Sequence, residues 1–374
     1  MIRGGQRLRT AAHRFRRIGT TAAAVVITAG LSVLVADEPA PRQAGGDCRI
    51  RLVCFNAENL AAPGDQPRLT RFRFEPARRR HLERIAAVIE TLEPDILVMP
   101  EIISKEGAAA VEEILQEKGM RDFRGYHVDG SDTFSGFDVA IFSRIEPDEV
   151  DGRRIAIHVP ARRAGAKGRD GEQDNAADAW LRQEFTYVDE RGRQRTEEAL
   201  LQRHAVAYFT VCGVKIGVLG LHLKSNPSDV GANAQRTAET RIARDIIRRK
   251  IVDKGYLPIV LGDLNDYDPD VPMADGRRKT QTTVLRDIKD FDPDREGPEL
   301  VNAAQCIPRR ADRYSSHWDF NENGVADSDD VFTMIDHVLL PRELEPGIVR
   351  AFICHAIDLD VSDHFPVVVD VDLR

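Results

Sequence analysis

Leu257-Pro258-Ile259-Val260-Leu261-Gly262-Asp263-Leu264-Asn265-Asp266 joins a short apolar run to a carboxylate, an amide and a second carboxylate. A run of branched residues this short predicts a fully buried strand, and α/β proteins gather ligand chemistry just past such strand ends. Asp263 and Asn265 lie two apart, so they point to the same side if the chain stays extended. An acid and an amide so placed suit a hard cation, or a water activated against a phosphate. Gly, Asp and Asn are also the ordinary residues of turns, so the decapeptide alone leaves both readings open.

The same design recurs along the chain. Ile50 to Phe55 runs into Asn56-Ala57-Glu58-Asn59, and Asp95 to Pro100 presents Glu101 at its end. Ser135 to Arg144 is a third apolar strand, with polar residues and Asp138 at its start. Ala205 to Val211 and Val214 to Leu221 read as a hairpin about Cys212-Gly213, leaving through His222-Leu223-Lys224-Ser225-Asn226. Near the end, Asp336 opens another strand within Thr333 to Leu340, and Asp363-His364 precedes the Val-rich run at 367 to 369. Amphipathic spacing predicts helices over Ala77 to Glu93, Glu106 to Lys118 and 232 to 250. Any one of these polar residues is an ordinary cap or surface group. An imidazole beside a carboxylate, as at Asp363-His364, brought near other carboxylates suits phosphate chemistry, where an acid fixes a metal and a ring moves a proton or binds a phosphate oxygen.

Residues 1 to 36 hold six Arg and no acid, with an uncharged run from Ile18 to Ala36. This predicts a secretory signal peptide, although the run is long enough to remain as a membrane anchor. Without it, 47 Lys and Arg face 61 Asp and Glu, a formal charge of −14. Such an acidic body excludes a global electrostatic grip on nucleic acid but allows a local basic strip. Arg68 to Arg84 and Arg153 to Arg169 are the two candidates, although charge runs of this kind are usually solvated faces. The five Cys show no C-x-x-C spacing, so no zinc or redox signature is present. One or two disulfides are compatible with export, in pairings the sequence leaves open. After a spacer at 37 to 47, residues 48 to 374 are read as one domain. The charged stretch 146 to 200 is taken as a surface insertion too poor in apolar residues to fold alone.

Asn56 with Glu58, Pro100-Glu101, the Asp138 strand, His222-Leu223-Lys224-Ser225, Gly262 to Asp266, Ile335-Asp336-His337 and Ser362-Asp363-His364 occur in one order. In that order the chain resembles the endonuclease/exonuclease/phosphatase superfamily, in its secreted DNase I-like and bacterial endonuclease branch. The resemblance spans residues 48 to 374. It implies an α/β four-layer sandwich, two packed mixed β-sheets flanked by helices, with the site at one edge. It also implies Glu101 as principal metal ligand with Asn56 and Asp363 nearby, and Asp263 orienting or deprotonating the attacking water. By the same resemblance Asn265 would hold a phosphate oxygen and Asp336 would orient His364 as phosphate binder or general acid/base. His222 would be the second imidazole, without an acid partner that the sequence identifies. Mg²⁺ or Mn²⁺ is the cofactor so implied, and nucleic acid the substrate of a monomer without a stable protein partner. A lipid or inositol phosphate is the alternative substrate; against it, only two Trp occur and neither sits in an aromatic cluster of the sequence. A non-catalytic calcium-binding module is the third reading, opposed by the intact set of acids and histidines.

Asp319-Phe320-Asn321-Glu322-Asn323-Gly324-Val325-Ala326-Asp327-Ser328-Asp329-Asp330 stands apart. Read as a calcium loop, it offers oxygens from Asp319, Asn321, Asn323, the Val325 carbonyl, Asp327 and Asp330, with Gly324 at the sharp turn. Asp330 replaces the usual bidentate Glu, and residues 314 to 318 are too few for an incoming helix. An Asp/Asn-rich surface turn is the other reading. If calcium binds, it serves as a structural clip before Ile335-Asp336.

Overall fold

The strands form two six-stranded sheets, one from the two ends of the described domain and the other from its middle, and the alternation of apolar residues along the strands decides how the sheets stack. The computed structural model describes residues 48–69, 74–160, 176–274, 282–324 and 327–374. The leader and spacer, part of each Arg-rich segment and Val325 lie outside the described residues. The first part of the chain runs β1 (Arg49–Cys54), α1 (Arg79–Leu92), β2 (Ile96–Ile102), α2 (Lys105–Glu117), β3 (Arg124–Tyr126) and β4 (Asp138–Ser143). Next come β5 (Ile155–Ala156), β6 (Arg182–Val188), β7 (Gln194–Leu200), β8 (His204–Val211), β9 (Val214–His222), α3 (Val230–Ile246) and β10 (Leu257–Asp263). The last part holds α4 (Val284–Lys289), β11 (Leu300–Asn302), β12 (Ser316–Trp318), β13 (Val331–Thr333), β14 (Asp336–Pro341), β15 (Ile348–Ile353) and β16 (Val367–Asp372).

One sheet has the order β15-β16-β1-β2-β4-β3 and the other β11-β14-β10-β9-β8-β5. Each contains one parallel pair, β1 with β2 and β9 with β10, and every other pairing within the two sheets is antiparallel. A parallel pair needs a long crossover, usually a helix, and α1 and α3 supply it here. In β1, Ile50, Leu52 and Cys54 face the opposite sheet while Val53 faces α1 and α2. In β10, Ile259 and Leu261 face the opposite sheet while Val260 packs under α3 and α4. Strands apolar on both sides are thereby buried on both sides, each large side chain contributing roughly 1.5–3 kcal/mol. The layers are helices, sheet, sheet, helices: the expected four-layer sandwich.

Three features go beyond the sequence reading. Part of the stretch 146 to 200 is a regular hairpin, β6 with β7, which packs Phe185 and Ala199 against Ala238 of α3. The calcium-like loop joins two short antiparallel strands, β12 and β13, rather than two helices. Cys48 and Cys212 form a disulfide, with Cα atoms 5.8 Å apart, tying the start of β1 to the β8–β9 turn of the other sheet.

Candidate active site

The C-terminal ends of β1, β2, β9 and β10 meet the start of β14 and the segment before β16. Two backbone features aim the side chains there. Between Pro100 and Ile102 the register of β2 against β4 shifts by a bulge, and the extra residue is Glu101, with φ 63°. A bulge re-aims the side chain it carries, here out of the ladder and into the cleft. Asn265, just past β10, is also left-handed at φ 51°. Non-glycine residues in this region are uncommon, and the cost is held by the surrounding structure. Gly262 is required for a different reason: a Cβ there would meet the backbone oxygen of Leu221 at 2.0 Å. The close β9–β10 approach brings His222 opposite Asp263 in register, and Asp263 opposite Asp336 on β14.

His364 Nδ1 and Asp336 Oδ2 lie 2.7 Å apart, both residues buried. Ser315 fixes that acid by donating from Oγ to Asp336 Oδ2 at 2.8 Å while accepting the Asp336 N–H at 2.9 Å. His364 Nε2 then faces Asp263 Oδ2 at 3.9 Å and Asp363 Oδ1 at 3.8 Å. His222 Nε2 lies 3.7 Å from Glu101 Oε1 and 3.8 Å from Asp263 Oδ2. Its buried Nδ1 has no hydrogen-bond partner among the described residues, so none of the described acids supports the second imidazole from behind. Asp263 Oδ1 accepts the Asn265 N–H at 2.9 Å.

All eight residues expected at the cleft are at its walls, but two have duties the sequence did not suggest. Asn56 turns its amide nitrogen to Glu101 Oε1 at 3.0 Å and Asp263 Oδ2 at 3.2 Å, while its oxygen accepts the Glu58 N–H at 3.0 Å. As placed, it spaces two carboxylates rather than offering oxygen to an ion. Asn265 donates one amide hydrogen to the Leu223 carbonyl at 3.1 Å, leaving a second hydrogen and its oxygen for a ligand. Glu58 was not singled out as a site residue, yet it accepts the Asp363 N–H at 2.8 Å and thereby holds the His364 segment to β1. Its position two residues after Asn56 was the available signal.

The electrostatics follow from burying several acids together. Burial, with Asp336 close by, raises the Asp263 carboxyl above its ordinary range; burial raises Glu101 too, opposed by the hydrogen bond from Asn56. Burial works against protonation of His364, but Asp336, Asp363 and Asp263 outweigh it and push the imidazole well above its ordinary value. His222 is pushed the other way, by burial and by the positive charges of Arg203, His364 and Lys224. One imidazole is thus prepared to carry a proton and the other to remain neutral. The crowd of acids also fits a divalent cation: ligand atoms of Glu101, His222 and Asp263 lie within 4.8 Å of one another. Oδ1 of buried Asp336 has no hydrogen-bond partner among the described residues. Oxygen-rich donors favour a hard ion.

The other predicted features are placed apart. Asp319, Asn321, Asn323, Asp327 and Asp330 lie together on the β12–β13 connection, with Asp319 accepting the N–H groups of Asn323 and Gly324 at 3.1 and 2.7 Å. Asp330 Oδ2 is 2.7 Å from His317 Nε2, a partner the sequence did not reveal. This ribbon is fastened to the cleft, since His317 N–H donates to the Asp363 carbonyl at 2.8 Å. It also corrects the reading of the tryptophans: Trp318 and Phe320 pack edge to face at 5.4 Å, and they are 57% and 61% exposed. In the first Arg-rich segment, Arg78, Arg79 and Arg84 are engaged in ion pairs with Glu75, Glu83, Glu117 and Asp360.

This geometry defines a class, a four-layer sandwich with an acid- and histidine-lined cleft, and comparison with known proteins names it. A model of the Endonuclease/Exonuclease/phosphatase family matches residues 54–364, and the chain belongs to that family. Among solved structures it is similar to the Neisseria 3′ phosphatase NExo bound to a product DNA hairpin, with 16% identity and TM-score 0.51, covering 86% of this chain and 99% of that one. It is similar to a family protein of Leptotrichia buccalis, with 14% identity and TM-score 0.50, over 87% of this chain and 100% of that one. A Beutenbergia cavernae family protein shares 19% identity at TM-score 0.50, over 87% of this chain and 72% of its own. At these identities the likeness establishes the fold. A search of curated protein sequences gives no match.

Proposed function

We propose that the chain is an exported, divalent-metal-dependent phosphodiester hydrolase acting on nucleic acid. The observation that carries this reading is the convergence of Glu101, His222, Asp263, Asp336 and His364 from both sheets upon one cleft. In-line attack on a phosphodiester adds charge to oxygens that are already anionic, so the task is positioning and charge stabilisation. Glu101, with Asp263 and Asp363 at its margin, would hold the ion, and when bound a Mg²⁺-type cation would stabilise that charge. Asp263, with one oxygen anchored by the Asn265 N–H, orients the attacking water and takes its proton. His364, locked by Asp336 at Nδ1, directs Nε2 into the cleft to bind a phosphate oxygen or supply a proton. His222 stays neutral, its Nε2 facing Glu101 and Asp263.

Purified protein incubated with plasmid DNA, RNA, sphingomyelin and inositol phosphates, with Mg²⁺ or EDTA and beside His364→Ala, tests the reading. Nicking that EDTA and the variant both abolish is expected; inertness toward every phosphoester contradicts it. One observation favours a second reading, a lipid phosphodiester. The exposed Trp318–Phe320 pair beside the cleft suits insertion at a membrane interface. Turnover of sphingomyelin without nicking, lost in Trp318→Ala/Phe320→Ala, would select it.

Export is supported by the basic and apolar leader and by the Cys48–Cys212 bridge, since disulfides persist in oxidising compartments. Calcium at residues 319 to 330 is supported by the motif and by the clustering of its side chains. It predicts a calcium-dependent rise in melting temperature that Asp319→Ala/Asp330→Ala erases; a parent protein indifferent to calcium ends the idea.

A further inference from the structure

The turn that leaves β9 is held more tightly than a loop needs to be. Leu223 donates its N–H to the Asp263 carbonyl at 2.9 Å, and its own carbonyl accepts from Asn265. The next residue, Lys224, has both backbone groups taken by charged side chains of α3: its N–H donates to Glu239 Oε2 at 2.8 Å, and its carbonyl accepts from Arg236 Nη1 at 2.7 Å. Arg236 is 1% exposed and Glu239 4%. Burying two full charges is costly unless each is well paired, and both are braced from the side, Arg236 Nη2 by Asn233 Oδ1 at 2.5 Å and Glu239 Oε1 by Gln235 at 2.9 Å. Arg236 Nε also lies 3.6 Å from Asp266 Oδ2, which joins the clamp to the β10 exit. Two buried ions fix the backbone of one residue whose side chain is only half-buried and whose ammonium makes no ion pair or hydrogen bond among the described residues. Lys224 lies two residues beyond His222, and Leu223 between them is bonded to both Asp263 and Asn265, so the residue is anchored at the rim of the cleft.

From this geometry we infer that Lys224 is a substrate-binding residue, its ammonium contacting a phosphate oxygen, and that Arg236 and Glu239 are its positioning residues. The inference rests on reading the cleft as a phosphoester site, and it adds an ammonium supplied by the protein to a cleft lined with acids and histidines. A lysine is suited to the task as a compact charge with three donors.

The test uses the full chain with Mg²⁺. On plasmid DNA and a small aryl phosphodiester, Lys224→Met should lower kcat/KM about 10- to 100-fold, chiefly through KM, as expected for one charge-assisted hydrogen bond. Lys224→Arg should restore much of the loss. The slope of log affinity for DNA against log salt should fall by about one contact in Lys224→Met. Glu239→Ala should raise KM similarly, and Lys224→Met/Glu239→Ala should be no worse than either single change; additive losses would overturn the positioning role. Calorimetric binding of inorganic phosphate separates the two levels of the argument. If the parent hydrolyses nothing but binds phosphate, and Lys224→Met abolishes that binding, the assignment of Lys224 stands while the hydrolase reading fails. If Lys224→Met matches the parent in kcat/KM, salt slope and phosphate binding, the assignment is wrong.

Discussion

Asp263 and Glu101 are residues whose position matters more than their type. Each is an acid at a strand end, and what distinguishes them from surface acids is how they are aimed: Glu101 by its own left-handed backbone at the bulge, Asp263 by the N–H of Asn265 two residues on. The bulge at Glu101 was not legible, because a one-residue register shift leaves no mark on an apolar run that is buried on both faces. The acids themselves were legible, since an abrupt change from apolar to polar marks a strand end whatever the register. A second group escaped notice for a similar reason. His204 Nε2 accepts the His158 N–H at 2.9 Å, so the ring must stay unprotonated at that atom in the native state. Burial depresses His204 to about 3 and His158 to about 4, from an ordinary value of 6.5. Below pH 6.5 the unfolded chain takes up protons that the folded chain refuses, so stability is lost as pH falls from there through about 4 toward 3. The loss should reach several kcal/mol, at about 1.4 kcal/mol per pH unit for each ring. Urea unfolding at intervals of pH checks it: His204→Gln should flatten the acid limb, and an unchanged limb would show that these rings do not control it.

At the scale of elements, the parallel pair β9–β10 carries the account. Its close approach places His222 beside Asp263 and depends on Gly262, whose missing side chain leaves room for the Leu221 carbonyl. Gly262→Ala should therefore destabilise by more than about 2 kcal/mol and remove activity, because the obstacle is backbone and has nowhere to move. A variant with parent-like melting temperature and turnover would mean that the two strands are not so tightly apposed. Strands of this kind were readable because both faces are apolar. The β6–β7 hairpin was not: only Phe185, Ala199 and a few neighbours meet α3, so its alternation is submerged in charged residues. The aromatic group at the β12–β13 ribbon was equally hidden. Tyr314 meets Phe332, His355 and Phe365 at 5.0, 3.9 and 5.6 Å across strands that are remote in sequence.

For the whole molecule, two sheets must stay in register for one cleft to exist. The Cys48–Cys212 bridge joins them across 164 residues of sequence, a separation that made the pairing unreadable beforehand. Closing so long a loop restricts the unfolded chain, and reduction should cost about 2–5 kcal/mol. Denaturant midpoints with and without reductant, beside Cys48→Ser/Cys212→Ser, measure this; identical midpoints would deny the bridge a stabilising part. The architecture as a whole was legible because its motifs fall at strand ends in the order of the family the sequence resembles, and that resemblance implied which ends must meet. The most direct measurement of that meeting is a double-mutant cycle between β14 and the segment before β16, read as kcat on a small aryl phosphodiester with Mg²⁺. Asp336→Asn and His364→Ala should each lower kcat by about 10²–10⁴-fold, and the double variant should lose no more than the worse single one, as residues acting as one unit do. Losses that multiply would show that the two residues act separately and that the cleft is not a single catalytic centre.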